Sequence, residues 1–398
     1  MDFRLSPDHQ QVRDMIRDLA TSEFAPHAAA WDHDRLYPAE ALAQLAELGF
    51  FGLLVPEEHG GVDYDPIAYA IALEELARVS AAVSVMLSVH SSVCCWPIAT
   101  YGTDEQKARF LPMLTSGTIG AFSLSEPGAG SDAAALSCAA RRDGDHYVLN
   151  GTKNWVTNGA HAGAIVLFAR TDPDPASGSK GITAFIVTPD LPGLSIGKHE
   201  DKMGIRASDT VEIALQDCRV PVANRLGAEG QGFKIAMSTL DGGRIGIGAQ
   251  ALGIAGAAFS EAVRYADTRM TFGRKLHEHQ PVAFLIAEME RRVAGSRALV
   301  YRAAWKKMQD LPHRIDASMA KVYATEAATF VTHRAIQIHG GYGYVKEYAV
   351  ERYYRDARVT EIYEGASEIQ RMVIARELVA AAAHADPATT PRTAETTS

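Results

Sequence analysis

The order of apolar and polar positions divides the chain into three stretches. In the first, Ser6-Pro7 has the form of a helix cap followed by a first-turn proline, and Val12, Ile16, Leu19 and Phe24 then recur at helical spacing. Residues 41–48 repeat the pattern with Leu42, Leu45 and Leu48 and stop at Gly49. Segments 66–79 and 81–101 predict helices apolar enough to be buried, and 104–114 a short one. From residue 121 the period changes. Tyr147-Val148-Leu149, Asn150-Gly151 and Trp155-Val156-Thr157 predict two strands about a tight turn, because Asn-Gly is the strongest short hairpin signal. Residues 165–169, 182–188 and 211–215 add β-rich runs separated by loops such as 172–178.

After Pro221 the helical period returns over 232–269, 281–310, 314–339, a short 347–356, and 367–383. Long helices joined by short loops predict a four-helix bundle. The expected fold is α+β and multidomain: an N-terminal helical domain (1–120), a central antiparallel β-barrel domain (121–225), a C-terminal bundle (226–383) and a tail (384–398). The tail, rich in Ala, Thr and Pro, has nothing to bury and is expected to be disordered.

Composition narrows the classes of function. The 398 residues are 47% hydrophobic and 22% charged, ordinary for a globular protein with sizeable cores. A formal charge of −9 argues against nucleic acid as the main ligand. Cys94, Cys95, Cys138 and Cys218 form no C-x-x-C pair and no disulfide ladder, which fits a reducing compartment. The N-terminus lacks a basic and then apolar leader, and no run of some 18 apolar residues is seen, so a cytoplasmic protein without a membrane span is expected.

Three stretches offer chemistry. In Thr360-Glu361-Ile362-Tyr363-Glu364-Gly365-Ala366-Ser367-Glu368-Ile369-Gln370, a carboxylate stands between a ring and a glycine at a predicted helix entrance. Held against Tyr363 and away from water, Glu364 would have a raised pKa and serve as a general base; alternatively it only favours the helix dipole. Ser125-Glu126-Pro127-Gly128-Ala129-Gly130-Ser131-Asp132 could face an oxygen-rich ligand, a phosphate or a flavin edge, or be a surface turn. Trp155 and Thr157 share a strand face that could hold a planar cofactor or simply be half-buried. Gly246-Ile247-Gly248-Ala249-Gln250-Ala251 fits a dinucleotide pattern, but a helix precedes it where a strand is required. Gly242, Gly246, Gly253 and Gly256 instead predict close helix packing. His277-Glu278-His279 lacks zinc spacing, and no G-x-S-x-G elbow supports serine hydrolysis.

Taken in order, Phe122 to Asp132, then Gln337-Ile338-His339-Gly340-Gly341-Tyr342-Gly343-Tyr344, Tyr354-Arg355-Asp356-Ala357-Arg358 and Ile362-Tyr363-Glu364-Gly365 resemble the two signatures of the acyl-CoA dehydrogenase family. The resemblance runs from about residue 2 to 380, and Leu240-Asp241-Gly242-Gly243-Arg244-Ile245-Gly246-Ile247 looks most like the short-chain, butyryl-CoA type. It implies that FAD is lined by Phe122, Leu124, Ser125, Gly130 and Ser131, with Trp155, Val156 and Thr157 beside the ring. It implies that Arg269, Thr271, His279, Gln280, Gln337, Ile338, Gly340 and Gly341 bind the FAD of a neighbour in a homotetramer. Ala366, Ser367 and Glu368 would complete the near side, and Ser131, Asp241, Arg244, Tyr363 and Gly365 would contact the acyl-CoA.

In the implied reaction, Glu364 takes the α-proton while the β-hydrogen leaves as hydride to flavin N5. The products are trans-2-enoyl-CoA and reduced FAD, which passes electrons to an electron-transfer flavoprotein. Some family members carry the base on the helix that here holds Gly242 and Gly243, which favours Glu364. Ala366 stands where a threonine is common, and His339 where an apolar residue is common. The rival readings are a branched short-chain substrate such as isobutyryl- or 2-methylbutyryl-CoA, an acyl-CoA oxidase and, more remotely, a flavin-containing DNA-binding relative. The oxidases usually carry an additional C-terminal helical domain, and a DNA-binding relative would want a basic patch.

Overall fold

The computed structural model describes residues 4–384. The expected tail at 384–398 lies outside the described residues from position 385 onward.

Helices α1 (Pro7–Leu19), α2 (Ala25–Asp34), α3 (Ala39–Glu47), α4 (Pro66–Val79), α5 (Ala81–Ser88), α6 (Trp96–Tyr101) and α7 (Asp104–Thr115) build the first layer. Their starts follow the sequence signals. Ser6 Oγ accepts the His9 amide, Asp65 accepts the amides of Ile67 and Ala68, and Thr103 and Gln106 form a reciprocal capping box. The predicted helix 81–101 is three pieces, because a π-helical segment, Val89–Cys95, joins α5 to α6. By length and composition Ala81–Tyr101 could cross a membrane, contrary to the expectation from sequence that no such run exists, yet 94% of its apolar window is buried within the fold.

The middle layer is one eight-stranded sheet: β1 (Gly120–Ser123), β2 (Ala139–Asp143), β3 (His146–Thr157), β4 (Ala164–Arg170), β5 (Ile182–Val187), β6 (Leu194–His199), β7 (Thr210–Pro221) and β8 (Arg225–Leu226). Its order is β6-β7-β3-β2-β4-β5-β8, with β1 beside β4. Two features correct the sequence reading. The sheet is mixed and open, not an antiparallel barrel: β1 and β2 both run parallel to β4, and the outer strands β6 and β8 do not pair. Asn150-Gly151 is not a hairpin. β3 pairs with β7 along its whole length, and that ladder overrides the local turn preference, leaving Asn150-Gly151 at a bulge. The β2–β3 hairpin turns at Gly144-Asp145 instead, with Gly144 at φ 61°.

The third layer contains α8 (Gly232–Thr268), α9 (Gln280–Met308), α10 (Arg314–His339), α11 (Val350–Thr360) and α12 (Ser367–His384). Among them α8 is central, wrapped by α4, α9 and α10 and buried nearly continuously from Asp241 to Ala258. Its glycines set that closeness: a Cβ at Gly246 would lie 2.6 Å from Ser88 Oγ, and one at Gly253 2.7 Å from Ala77 Cβ.

One buried ion pair ties the loop after β1 to the sheet. Lys153 Nζ, fully buried on β3, meets Glu126 Oε1 at 2.7 Å and donates to the Leu124 carbonyl at 3.1 Å. Glu126 also accepts the amides of Ser137 and Cys138 and the Ser137 hydroxyl. Burial alone would raise the Glu126 pKa, but Lys153 and these donors hold it below the usual carboxylate range. Replacing Lys153 by Met strands this carboxylate, and a loss of about 3–5 kcal/mol of stability is expected in urea denaturation. An unchanged midpoint would show that the pair does not anchor the loop.

Candidate active site

The connection between α11 and α12 passes through two left-handed residues, Glu364 (φ 51°) and Gly365 (φ 95°). That conformation suits a glycine and strains a glutamate, so its neighbours must hold it. Lys321 Nζ on α10 donates to the Gly365 carbonyl at 2.8 Å, and Gln370 Nε2 on α12 donates to the same oxygen at 3.0 Å. The Tyr363 hydroxyl donates to Gln250 on α8, whose amide in turn donates to the Ala81 carbonyl at 2.8 Å. Glu364 lies three residues before α12, outside its first turn.

The Glu364 carboxylate occupies the space that a side chain on α8 would fill. A Cβ at Gly243 would lie 2.9 Å from Glu364 Cδ and nearer still to Oε2, with Val93 Cγ1 at 3.2 Å. Oε2 is enclosed and has no hydrogen-bond partner among the described residues. Burial pushes the carboxyl up to about 7, while Lys321 and Arg244 pull the other way. Arg244, itself buried, meets Asp241 at 2.5 Å, and Asp241 also takes Arg314 at 3.1 Å. Asp241, Arg244, Tyr363 and Gly365 therefore gather around Glu364. Ser131 is exposed on its loop.

The predicted cofactor residues fall into two groups. In the first, Phe122 and Leu124 lead into the loop bearing Ser125, Gly130 and Ser131, and the Asn154 amide donates to the Ser125 carbonyl at 2.9 Å. This sets Trp155, Val156 and Thr157 alongside. Trp155 is 60% exposed, Val156 is buried and Thr157 half-buried, but Trp155 (φ 62°) sits at a second register shift of the β3–β7 ladder, so the bulge and not a plain two-residue period turns its ring outward while Lys153 stays buried. The group adjoins Glu364 through the π-helical segment, since His90 Nδ1 accepts the Gly120 amide at 2.9 Å and Val93 flanks the carboxylate. Ala366, Ser367 and Glu368 follow Gly365 directly, and Ser367 Oγ is buried without a partner among the described residues.

The second group comprises Arg269, Thr271, His279, Gln280, Gln337, Ile338, Gly340 and Gly341. It lies beyond the far end of α8, about 39 Å from Gly243 at the usual rise of about 1.5 Å per residue. There Arg269 lies 5.7 Å from the centre of the Tyr342 ring, His279 meets the Thr271 hydroxyl at 3.3 Å, and Phe272 is 97% exposed. Within one chain these residues do not meet Glu364. His339, the departure noted in sequence, stacks on Tyr265 at 4.3 Å.

The first group fits a planar, polar cofactor. The Ser125 and Thr157 hydroxyls have no partner among the described residues, a ring lies exposed beside them, and the positions of Gly128 and Gly130 are open, with nothing within 4 Å of where a Cβ would stand. Models of the acyl-CoA dehydrogenase N-terminal, middle and C-terminal domains match residues 6–118, 121–218 and 230–379. The chain belongs to the acyl-CoA dehydrogenase family. It is an oxidoreductase acting on acyl-CoA, and the family's cofactor is FAD. Mitochondrial short-chain specific acyl-CoA dehydrogenase of Mus musculus is 50% identical over 376 residues, covering 94% of this chain and 91% of that protein. Butyryl-CoA dehydrogenase of Megasphaera elsdenii superposes with a TM-score of 0.93 at 45% identity, over 95% of this chain and all of the other. A chain in a structure of the electron transferring flavoprotein of Acidaminococcus fermentans matches equally well, with a TM-score of 0.93 at 44% identity, over 95% of this chain and 100% of that one.

Several site residues escape a reading by motif: Lys321, Gln250, Gln370, the Glu126–Lys153 pair, and Lys307. Lys307 lies beside Gly242 and 4.8 Å from the centre of the Trp96 ring, and burial lowers its pKa to about 8 against the pull of Asp241. Lys321 had a signal. It interrupts the buried stripe of Ala317, Ala320, Ala324 and Ala328, and a cation on an apolar helix face demands a partner.

Since Gly243 gives the carboxylate its space, Gly243→Ala should displace Glu364 by an ångström or more. Steady-state turnover with butyryl-CoA is expected to fall about 10²-fold while FAD stays bound; turnover within a few-fold of wild type would contradict the geometry.

Proposed function

We propose that this chain catalyses α,β-dehydrogenation of a short-chain acyl-CoA thioester to the trans-2-enoyl-CoA, with Glu364 as the base. The observation that carries this reading is the enclosed, unpartnered Oε2 of Glu364 in the space left by Gly243. A thioester α-proton is only weakly acidic, so the carbonyl must be polarised as the proton leaves. The Glu364 backbone N–H donates to no acceptor among the described residues and is free for that oxygen. Glu364 then accepts the α-proton in a site from which side chains of α4, α8 and α10 exclude water. When bound, FAD takes up the β-hydrogen as hydride.

Other residues receive roles from their surroundings. Asp241 and Arg244 contact the acyl-CoA beside the base, with Ser131 contributing from the loop, and Tyr363 and Gly365 border the acyl group. Phe122, Leu124, Ser125, Gly130, Ser131, Trp155, Val156 and Thr157 hold the near side of FAD, with Ala366, Ser367 and Glu368. The remote group from Arg269 to Gly341 completes a neighbour's FAD site in a homotetramer, a reading supported by its distance from Glu364 and by the exposed Phe272. Electrons then pass to an electron-transfer flavoprotein. The three domains divide after residues 120 and 225, and the four free, buried cysteines suit a cytoplasmic setting.

Chain length follows from what lies beyond the base. Tyr69 Oη and Ser88 Oγ, bonded at 2.9 Å, fill the slot at Gly246, one helical turn or about 5 Å along α8 from Gly243. A short acyl chain ends there.

Anaerobic titration of the FAD-loaded enzyme should bleach the flavin band with butyryl-CoA and not with octanoyl-CoA. Glu364→Gln should stay folded and yellow and react about 10² to 10⁴ times more slowly. Only the carboxylate can accept a proton, so the wild-type rate should climb as pH rises through about 7 and fall about tenfold per unit below it. Bleaching by isobutyryl-CoA alone would establish the branched-chain reading, and normal turnover in Glu364→Gln would remove Glu364 from its role.

A further inference from the structure

Lys321 is fully buried in the N-terminal third of α10 and forms no ion pair at hydrogen-bond distance among the described residues. Its Nζ donates to the carbonyl of Gly365, the residue that follows Glu364 in the left-handed turn. An uncharged donor, Gln370 Nε2, already serves that oxygen, so the hydrogen bond alone does not account for a buried cation here. We propose that Lys321 is a positioning residue for Glu364: its ammonium fixes the Glu364–Gly365 turn and supplies the positive charge beside which the enclosed carboxylate gives up its proton.

The other groups around Glu364 leave this role open. From α8 comes Arg244, whose charge is shared with Asp241. From α4 comes Tyr69, a neutral phenol bonded to Ser88, and Tyr363 next to Glu364 is bonded to Gln250. The π-helical segment presents the apolar Val93. The carboxylates of Glu361 and Glu368 act on Lys321 from the connection and from α12, and Arg376 acts on Arg244. Lys321 and Arg244 are the two cations whose charge pulls Glu364 downward, and Lys321 has the larger effect. Glu364 in turn helps keep Lys321 protonated against its own burial.

What Lys321 does for turnover rests on the reading of Glu364 as the base; its effect on the carboxyl does not. The test is therefore an infrared pH titration of the FAD-loaded enzyme, following the protonated-carboxyl band that Glu364→Gln abolishes. Wild type should titrate near 7. Lys321→Met should move the midpoint up by at least about one pH unit, the usual effect of removing a close opposite charge. Lys321→Arg should restore the wild-type midpoint, which a merely space-filling role would not require. The pH profile of kcat/KM should shift alkaline by the same interval.

A midpoint in Lys321→Met that coincides with wild type overturns the proposal. Should that variant lose its fold or its FAD, Lys321→Gln, which keeps a donor to Gly365 without the charge, is titrated in its place: the same alkaline shift supports the proposal and an unmoved midpoint overturns it. Normal turnover in Glu364→Gln would end the base reading and leave the infrared result to stand by itself.

Discussion

The removal of one carboxylate from water is the constraint on which the site depends. A buried carboxyl favours its neutral form, and a neutral carboxyl is no base. Glu364 is brought to a poise near neutrality by two opposed effects: enclosure by α4, α8 and the π-helical segment, and the charges of Lys321 and Arg244. The backbone shares the cost, since a glutamate at φ 51° persists only because Lys321, Gln370 and Gln250 hold the turn around it.

The rest of the architecture serves that enclosure. Helix α8 runs through the centre of the bundle with a glycine wherever a neighbour must come close, and Gly243 marks the point where the neighbour is the carboxylate itself. Strand β1 is attached beside it through His90, and the loop after β1 is fixed by the buried Glu126–Lys153 pair. The loop proposed to hold FAD and the turn holding Glu364 are thus set against each other by side chains that touch neither ligand. The groups at the two ends of α8 are separated by its length, and in the proposed homotetramer the far group of one chain would complete the FAD site of its neighbour.

Much of this was legible in the sequence. The helical period located α4 and α10 at their observed bounds, and α8 and α9 to within two residues, because long amphipathic or buried helices repeat their signal over many turns. Strands were less legible. Asn150-Gly151 carries a true local preference that the long β3–β7 ladder overrides, and an open, mixed sheet differs from a barrel only in pairings that no local pattern encodes. Glu364, Gly365 and Arg244 could be named from their motifs, but the partners that tune them could not. Lys321 lies 43 residues from Glu364, and Gln250 lies on a different helix, so only the folded chain shows that they reach its neighbours Gly365 and Tyr363.

The most direct test of Glu364 as the proton acceptor separates proton removal from oxidation. A thioester whose β-carbon is replaced by sulfur has an α-proton to give and no β-hydrogen to lose, so its fate in D₂O reports the base alone. Incorporation of deuterium at the α-carbon, followed by mass spectrometry, should proceed with wild type and fall to the uncatalysed rate with Glu364→Gln at equal FAD occupancy. Exchange at the wild-type rate in Glu364→Gln would place the base elsewhere and leave the enclosed carboxylate without its role.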